Sequence, residues 1–240
     1  MTYNLLSSTA KLEKSEGKSR YVIRGLSLAP ASTSGKNVCT HSTADCRLGC
    51  VAYSGNGRYP AVLEARIRRT NVFFGERDKF ADLISEDIEK FIAKAAADNV
   101  IPCIRLNMFS DIPWERSPMR INGEKTTLIE AYGDRVIFYD YTKYPHTKRP
   151  SSDKYHLTYS ASGENTDMCR DALHEGHNVA VVFDTKKDEA LPDTWFGHPV
   201  ISGDKDDLRF LDPKGHVIGL YAKGRLRGKD TPFVFKGVST

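Results

Sequence analysis

The sequence predicts an α/β fold of one domain, an open or incomplete βα barrel, and three observations predict it. Short apolar strand candidates are separated by helical or long connecting stretches, the pattern of parallel βα units. The 240 residues suffice for one sizeable core, and barrels or sheets of this length are commonly single domains. Polar residues capable of chemistry recur directly after the strand candidates, where parallel folds carry their functional loops. A doubly wound sheet is the second reading of the same pattern. Residues 1–20, polar and Lys-rich, suit a flexible lead-in or an edge segment, and 21–240 form the α/β domain.

The first strand is Tyr21-Val-Ile-Arg-Gly-Leu-Ser-Leu, ended by Pro30 and by Ser34-Gly35. A helix runs from Ala61 to about Phe74. After Gly75 a second helix spans about Asp78 to Ala97, because Phe80, Leu83, Ile84, Ile88, Phe91, Ile92 and Ala95 recur at helical spacing and so bury one face. Strands follow at Val100 to Asn107, at Arg135 to Tyr141 and at Tyr155 to Ser160. A short helix at Thr166 to His174, closed by Gly176, leads to the apolar strand Asn178 to Phe183. Val200-Ile-Ser and Val217-Ile-Gly-Leu-Tyr complete the set.

Three of the five cysteines, Cys39, Cys46 and Cys50, fall within twelve residues after the first strand. Thiolates gathered on a loop are ligands for soft metals or for an iron–sulfur cluster. The paired C-x2-C knuckles of zinc sites are absent and the spacing is C-x6-C-x3-C, so a cluster is expected before zinc, and zinc before unliganded thiols. Three thiolates leave one coordination position open. A fourth ligand stays open between Cys103 and His41, although Cys103, like Cys169, reads first as a small buried hydrophobe and His41 as a solvent-exposed loop residue.

After the other strands come Arg105, Asn107, Ser110 and Asp111, then Asp140, Tyr141 and Lys143, then Ser160 and Ser162. Of these, Arg105, Asn107, Asp111, Asp140, Lys143 and Ser160 are the candidate substrate-binding residues. Asp111 reads equally as a cap. Asp204, Asp206 and Asp207 lack the full ligand pattern of a calcium loop and read as a solvated turn. Arg66, Arg68 and Arg69 read as the solvated face of a helix.

The 35 Lys and Arg nearly balance the 31 Asp and Glu, so nucleic acid binding is expected to be weak or absent. No stretch approaches the roughly 18 apolar residues of a membrane span, and the first residues lack the pattern of a secretory signal. A soluble cytoplasmic protein is expected.

Leu26-Ser-Leu-Ala-Pro-Ala, Ser34-Gly-x-x-Val-Cys39, Cys46, Cys50, Arg68-Arg-Thr70, Arg105-Leu-Asn, Ser110-Asp-Ile-Pro-Trp114, Phe138-Tyr-Asp-Tyr-Thr-Lys143 and Gly203-Asp-x-Asp-Asp-x-Arg-Phe210 together resemble the bacteriophage gene product 88 family. The resemblance covers about residues 20 to 235. It implies a phage-encoded protein of the bacterial host cytoplasm and brings no catalytic residue with it. More distantly, a three-cysteine loop after the first strand of a partial barrel is similar to the radical SAM core. There the spacing is C-x3-C-x2-C, and the glycine-rich pair with an acidic residue after the second strand is replaced here by Arg105-Leu-Asn-Met-Phe-Ser-Asp111.

The expected function is therefore that of an iron–sulfur protein, of the 4Fe-4S type, with redox or radical chemistry on a small molecule and with an electron donor as partner. S-adenosylmethionine enters as a candidate ligand that the cysteine spacing argues against. A non-catalytic phage–host or nucleic-acid-associated protein with a structural zinc is the alternative.

Overall fold

A computed structural model describes residues 4–9, 12–13, 19–186 and 189–237. In chain order the elements are β1 (Leu6–Ser7), β2 (Tyr21–Leu26), α1 (Ala44–Leu48), α2 (Pro60–Gly75), α3 (Arg77–Ala97) and β3 (Ile101–Arg105). Then come β4 (Met119–Ile121), β5 (Glu124–Thr126), α4 (Leu128–Tyr132), β6 (Ile137–Thr142), β7 (Tyr155–Ser160) and α5 (Thr166–His174). The last are β8 (Val179–Phe183), β9 (Thr194–Trp195), β10 (His198–Ser202) and β11 (Val217–Tyr221). The predicted helices and strands are thus present, with ends that move by a few residues. The fold is mixed α/β with mostly parallel strand pairing. The chain divides into two compact units, one of residues 1–40, 55–140 and 152–156, the other of residues 41–54, 141–151 and 157–240.

In the first unit the strand order is β1-β2-β3-β6. β2, β3 and β6 run parallel, with Ile23 opposite Cys103 and Ile104 opposite Phe138. β1 is an antiparallel edge, Leu6 facing Leu26, and the Leu5 and Leu6 amides both donate to Asp87 Oδ2 on α3 at 2.6 and 2.9 Å. That fixes part of the stretch expected to be a lead-in or edge; residues 1–3, 10–11 and 14–18 lie outside the described residues. Helix α2 begins with Pro60 at its first position, where the missing N–H costs nothing.

Helix α3 buries Phe80, Ala81, Ile84, Ile88, Phe91 and Ala95, the face its spacing predicts, against β1, β3 and β4. Phe80 stacks on Trp114 with centroids 6.1 Å apart and planes at 12°, while Phe73 of α2 meets both rings edge-on at 5.0 and 5.1 Å. The hairpin β4–β5 is not among the sequence-predicted elements, although Asn122-Gly123 carries the signal for it: both residues have positive φ, as a tight two-residue turn between antiparallel strands requires.

In the second unit the order is β7-β8-β11-β10-β9. β7, β8, β11 and β10 pair in parallel and β9 is an antiparallel edge. β11 lies between β8 and β10, so strand order here is not the sequential order of a simple βα barrel. Helix α5 packs Cys169, Ala172 and Leu173 on Tyr159, Val179, Val181 and Val217. It closes as predicted: Gly176 has φ +83, and the His177 amide returns to the Ala172 carbonyl at 2.9 Å. No described helix is long and apolar enough to cross a membrane.

Replacing Phe80 by Ala removes one ring of the three-ring cluster and leaves a cavity between α3 and Trp114. Urea unfolding should show a loss of about 3–5 kcal/mol, with the unfolding slope unchanged; a loss below about 1 kcal/mol would mean that the rings do not pack as described.

Candidate functional site

Asp140 ends its part of the first unit fully buried. A carboxylate without water must be satisfied by protein groups. Its Oδ1 accepts the Asn107 amide at 2.8 Å and its Oδ2 accepts the Tyr155 hydroxyl at 2.6 Å, while Arg105 Nε stands 3.8 Å from Oδ1. Three sequence-predicted residues, Arg105, Asn107 and Asp140, are therefore together at the carboxyl ends of β3 and β6.

The side chain of Asn107 ties down the turn that follows β3. Its Oδ1 accepts from Ser110 Oγ at 2.8 Å, from the Ile112 amide at 3.0 Å and from Trp114 Nε1 at 3.1 Å. Its Nδ2 donates to the Ile112 carbonyl at 3.0 Å and to Tyr155 Oη at 3.3 Å. An asparagine closing its own turn in this way is ordinary local chemistry; its five contacts engage both polar atoms. Asp111 is buried on the same turn, and its amide donates to the Val38 carbonyl at 2.8 Å. Cys39 follows Val38, and its thiol donates to the Phe109 carbonyl at 3.5 Å. The first cysteine of the triplet thus lies against the turn carrying Asn107, Ser110 and Asp111.

In the second unit Cys46 sits on α1, whose N-cap Thr43 accepts the Cys46 amide through Oγ1 at 3.1 Å. Cys50 begins the next turn, Val51–Tyr53. Lys143 Nζ donates to Ser160 Oγ at 3.4 Å and lies 5.5 Å from the centre of the Phe233 ring, so these two candidates also meet. The exposed ring of His41 rests on Tyr144 at 3.9 Å.

Among the described residues no cysteine is in a disulfide. Cys39, Cys46 and Cys50 are partly exposed, whereas Cys103 and Cys169 are fully buried. Burial pushes the Cys103 thiol far up and the Cys169 thiol to about 12, with Lys143 drawing the latter slightly back. Thiols so resistant to ionisation are poor metal ligands, in keeping with the packing role expected of both. The donor chemistry of the triplet fits a thiolate-held group. Among the described residues no three His, Cys, Asp or Glu side chains form a group placed to hold a metal ion.

Two expectations are corrected. The Asp204 to Asp207 segment is only partly a solvated turn: Lys205 is exposed and the Asp206 side chain is 44% exposed, but Asp207 is fully buried and Arg209 nearly so, its Nη2 donating to Asp206 Oδ1 at 2.8 Å and its Nη1 lying 3.2 Å from Asp212 Oδ2. Arg66 is likewise buried, its guanidinium 4.2 Å from the centre of the Phe109 ring, because only one side of α2 faces water. Sequence reading missed Tyr155 as the partner of Asp140; a tyrosine that opens an apolar strand gives no sign of where its hydroxyl goes.

The family model described as Gene product 88 matches residues 3–237. No curated protein and no solved structure matches the chain.

Asn107→Ala strips the acceptor from Trp114 Nε1, the Ile112 amide and Ser110 together, and each buried donor left without a partner costs about 1–3 kcal/mol. Chemical denaturation should show a loss of at least about 3 kcal/mol, whereas Tyr155→Phe, which removes one donor from Asp140, should cost about 1–3 kcal/mol. A neutral Asn107→Ala would remove it from its place at the centre of the turn. Asp212 supplies a pH test. Burial raises its pKa from 3.8 to about 6, against the pull of Arg209. The folded state therefore holds this proton more tightly than the unfolded state, so its contribution to stability falls as pH rises from about 4 through about 6. Asp212→Asn should flatten the stability curve over that window, and an unchanged slope would reject the shift.

Proposed function

The chain belongs to the gene product 88 family, and from that premise we propose that it is a phage-encoded iron–sulfur protein in which Cys39, Cys46 and Cys50 hold a 4Fe-4S cluster beside a site for a small molecule. The observation that carries this is the division of the cysteines. Three partly exposed cysteines lie within twelve residues, while the remaining two are core residues. A loop that kept three oxidisable thiols near solvent for packing alone would gain nothing from them; soft thiolate sets of this kind hold clusters or zinc. Bound there, a cluster supplies one-electron chemistry and, with three thiolates, one iron open to an outside ligand.

The chain's own residues have separable tasks. Asn107 fixes the turn after β3, Asp140 is held by Asn107 and Tyr155, and Arg105 stands beside that carboxylate as the cation for a substrate anion. Asp111 is a further polar contact of the first unit for a small molecule, and Lys143 and Ser160, which meet in the second unit, are candidate contacts there. The cysteine segment follows β2, the first parallel strand, and β2, β3 and β6 are in sequential parallel order. Both features support a radical-SAM-like partial barrel, whereas the cysteine spacing speaks against S-adenosylmethionine as the outside ligand.

Protein purified without oxygen should be brown and contain iron and acid-labile sulfide in equal amounts. Cys39→Ala, Cys46→Ala and Cys50→Ala should each remove most of the iron, because a methyl cannot replace a thiolate, and Cys169→Ala should leave it unchanged. One zinc per chain without sulfide would replace the cluster with a structural metal.

A further inference from the structure

A basic segment far along the sequence is laid directly on the cysteine segment of the second unit. Lys223-Gly-Arg225-Leu-Arg227-Gly-Lys229 holds four cations in seven residues. Its Leu226 packs so closely on Gly49 that a Cβ there would fall 2.1 Å from Leu226 Cδ1. Gly224, at φ +57, also comes close to Ser54: a Cβ on it would lie 2.8 Å from Ser54 Oγ. Leu226 also belongs with Ala222, Phe233 and Val234 to the apolar cluster against which Cys46 packs. The backbone of the basic segment is therefore fixed beside Cys46 and Cys50.

Leu226 points inward, and its neighbours Arg225 and Arg227 are exposed, as are Lys223, Lys229 and Arg47 of α1. Only two carboxylates, Asp45 and Asp230, occur in segments 41–54 and 222–231 beside these five cations. Asp204 offsets Lys223, and Asp230 lies 3.8 Å from Lys236. Among the described residues nothing pairs with Arg225, Arg227 or Lys229. Leu48 and Val51, on either side of Cys50, are 47% and 52% exposed. An aliphatic centre bordered by cations is the composition of a protein-docking surface with an acidic counterpart. A single-strand nucleic acid platform would instead present aromatic faces for bases; the large apolar side chains exposed here, Leu48 and Val51, are aliphatic, and the ring of His41 in the same segment lies against Tyr144.

We infer that this basic collar is the docking surface for an acidic, one-electron carrier protein that delivers electrons next to Cys46 and Cys50. The inference rests on the iron–sulfur reading for its electron-transfer role. In each encounter the carrier loses one electron and is oxidised, the protein's metal centre gains that electron, and no atom is exchanged. The collar attracts the carrier, and Leu48 and Val51 form the contact.

The test uses the anaerobically purified full chain and a fluorescently labelled plant-type [2Fe–2S] ferredoxin as acidic probe. Binding should be measurable at low salt and weaken at least about tenfold both in Arg225→Glu/Arg227→Glu and on raising ionic strength, as opposed charges across an interface require. Lys79→Glu/Lys90→Glu, the same charge change on the exposed face of α3, should bind like the native chain. Leu48→Ser/Val51→Ser should bind more weakly with the same salt dependence. No binding, or binding indifferent to the collar variants, overturns the proposal. So does a labelled single-stranded oligonucleotide that binds more tightly than ferredoxin and is lost in the same collar variants. Iron and sulfide are measured on the same samples: collar-dependent binding by protein that lacks both overturns the electron-transfer role and the cluster reading while the docking surface stands, whereas iron-loaded protein that ignores the collar overturns the docking surface alone.

Discussion

A carboxylate sealed from water governs the architecture around the turn that follows β3. Asp140 is tolerable in the core because groups that include a backbone amide, a tyrosine hydroxyl and a nearby guanidinium converge on it, and an ionised group left without such partners would cost more than a domain of this size has to spare. The amide belongs to Asn107, so satisfying Asp140 also fixes the residue whose side chain closes the turn through Ile112 and Trp114. Trp114 in turn carries the ring cluster of Phe73 and Phe80. One buried charge thereby couples strand ends, turn and helix packing, and it explains why polar residues that look available in the sequence are committed inside the fold.

That coupling reaches the cysteine segment. The Val38 carbonyl accepts from the Asp111 amide and the Cys39 thiol donates to the Phe109 carbonyl, so the entry to the segment is held by the same turn. Cys46 is placed by different means, an N-cap threonine and an apolar cluster around Leu226. Thiols serve as ligands in their ionised form, which full burial opposes at Cys103 and Cys169.

Much was legible from residue pattern. The face of α3 was fixed by apolar spacing, the end of α5 by Gly176, and β7 and β11 by runs of β-branched and aromatic residues, because these depend on neighbours within a few positions. The packing roles of Cys103 and Cys169 were legible for the same reason. The β4–β5 hairpin had a readable signal in Asn122-Gly123. By contrast, the burial of Arg66 and Asp207 goes against the solvated reading of their segments, since polarity says nothing about burial when a ring or an opposite charge compensates it.

By itself, then, the sequence determined the three longer helices α2, α3 and α5, the parallel strands, the family and the twelve-residue grouping of three thiols, all of them set by local spacing and residue type. Only the tertiary structure decided that Asn107 engages five groups at once, that Tyr155 answers Asp140, that β11 inserts between β8 and β10, and that a basic segment some 170 residues away covers Gly49. Those are pairings between distant parts of the chain, fixed by which surfaces and hydrogen-bonding groups remain to be matched once the local elements have formed, and no local pattern encodes the partner.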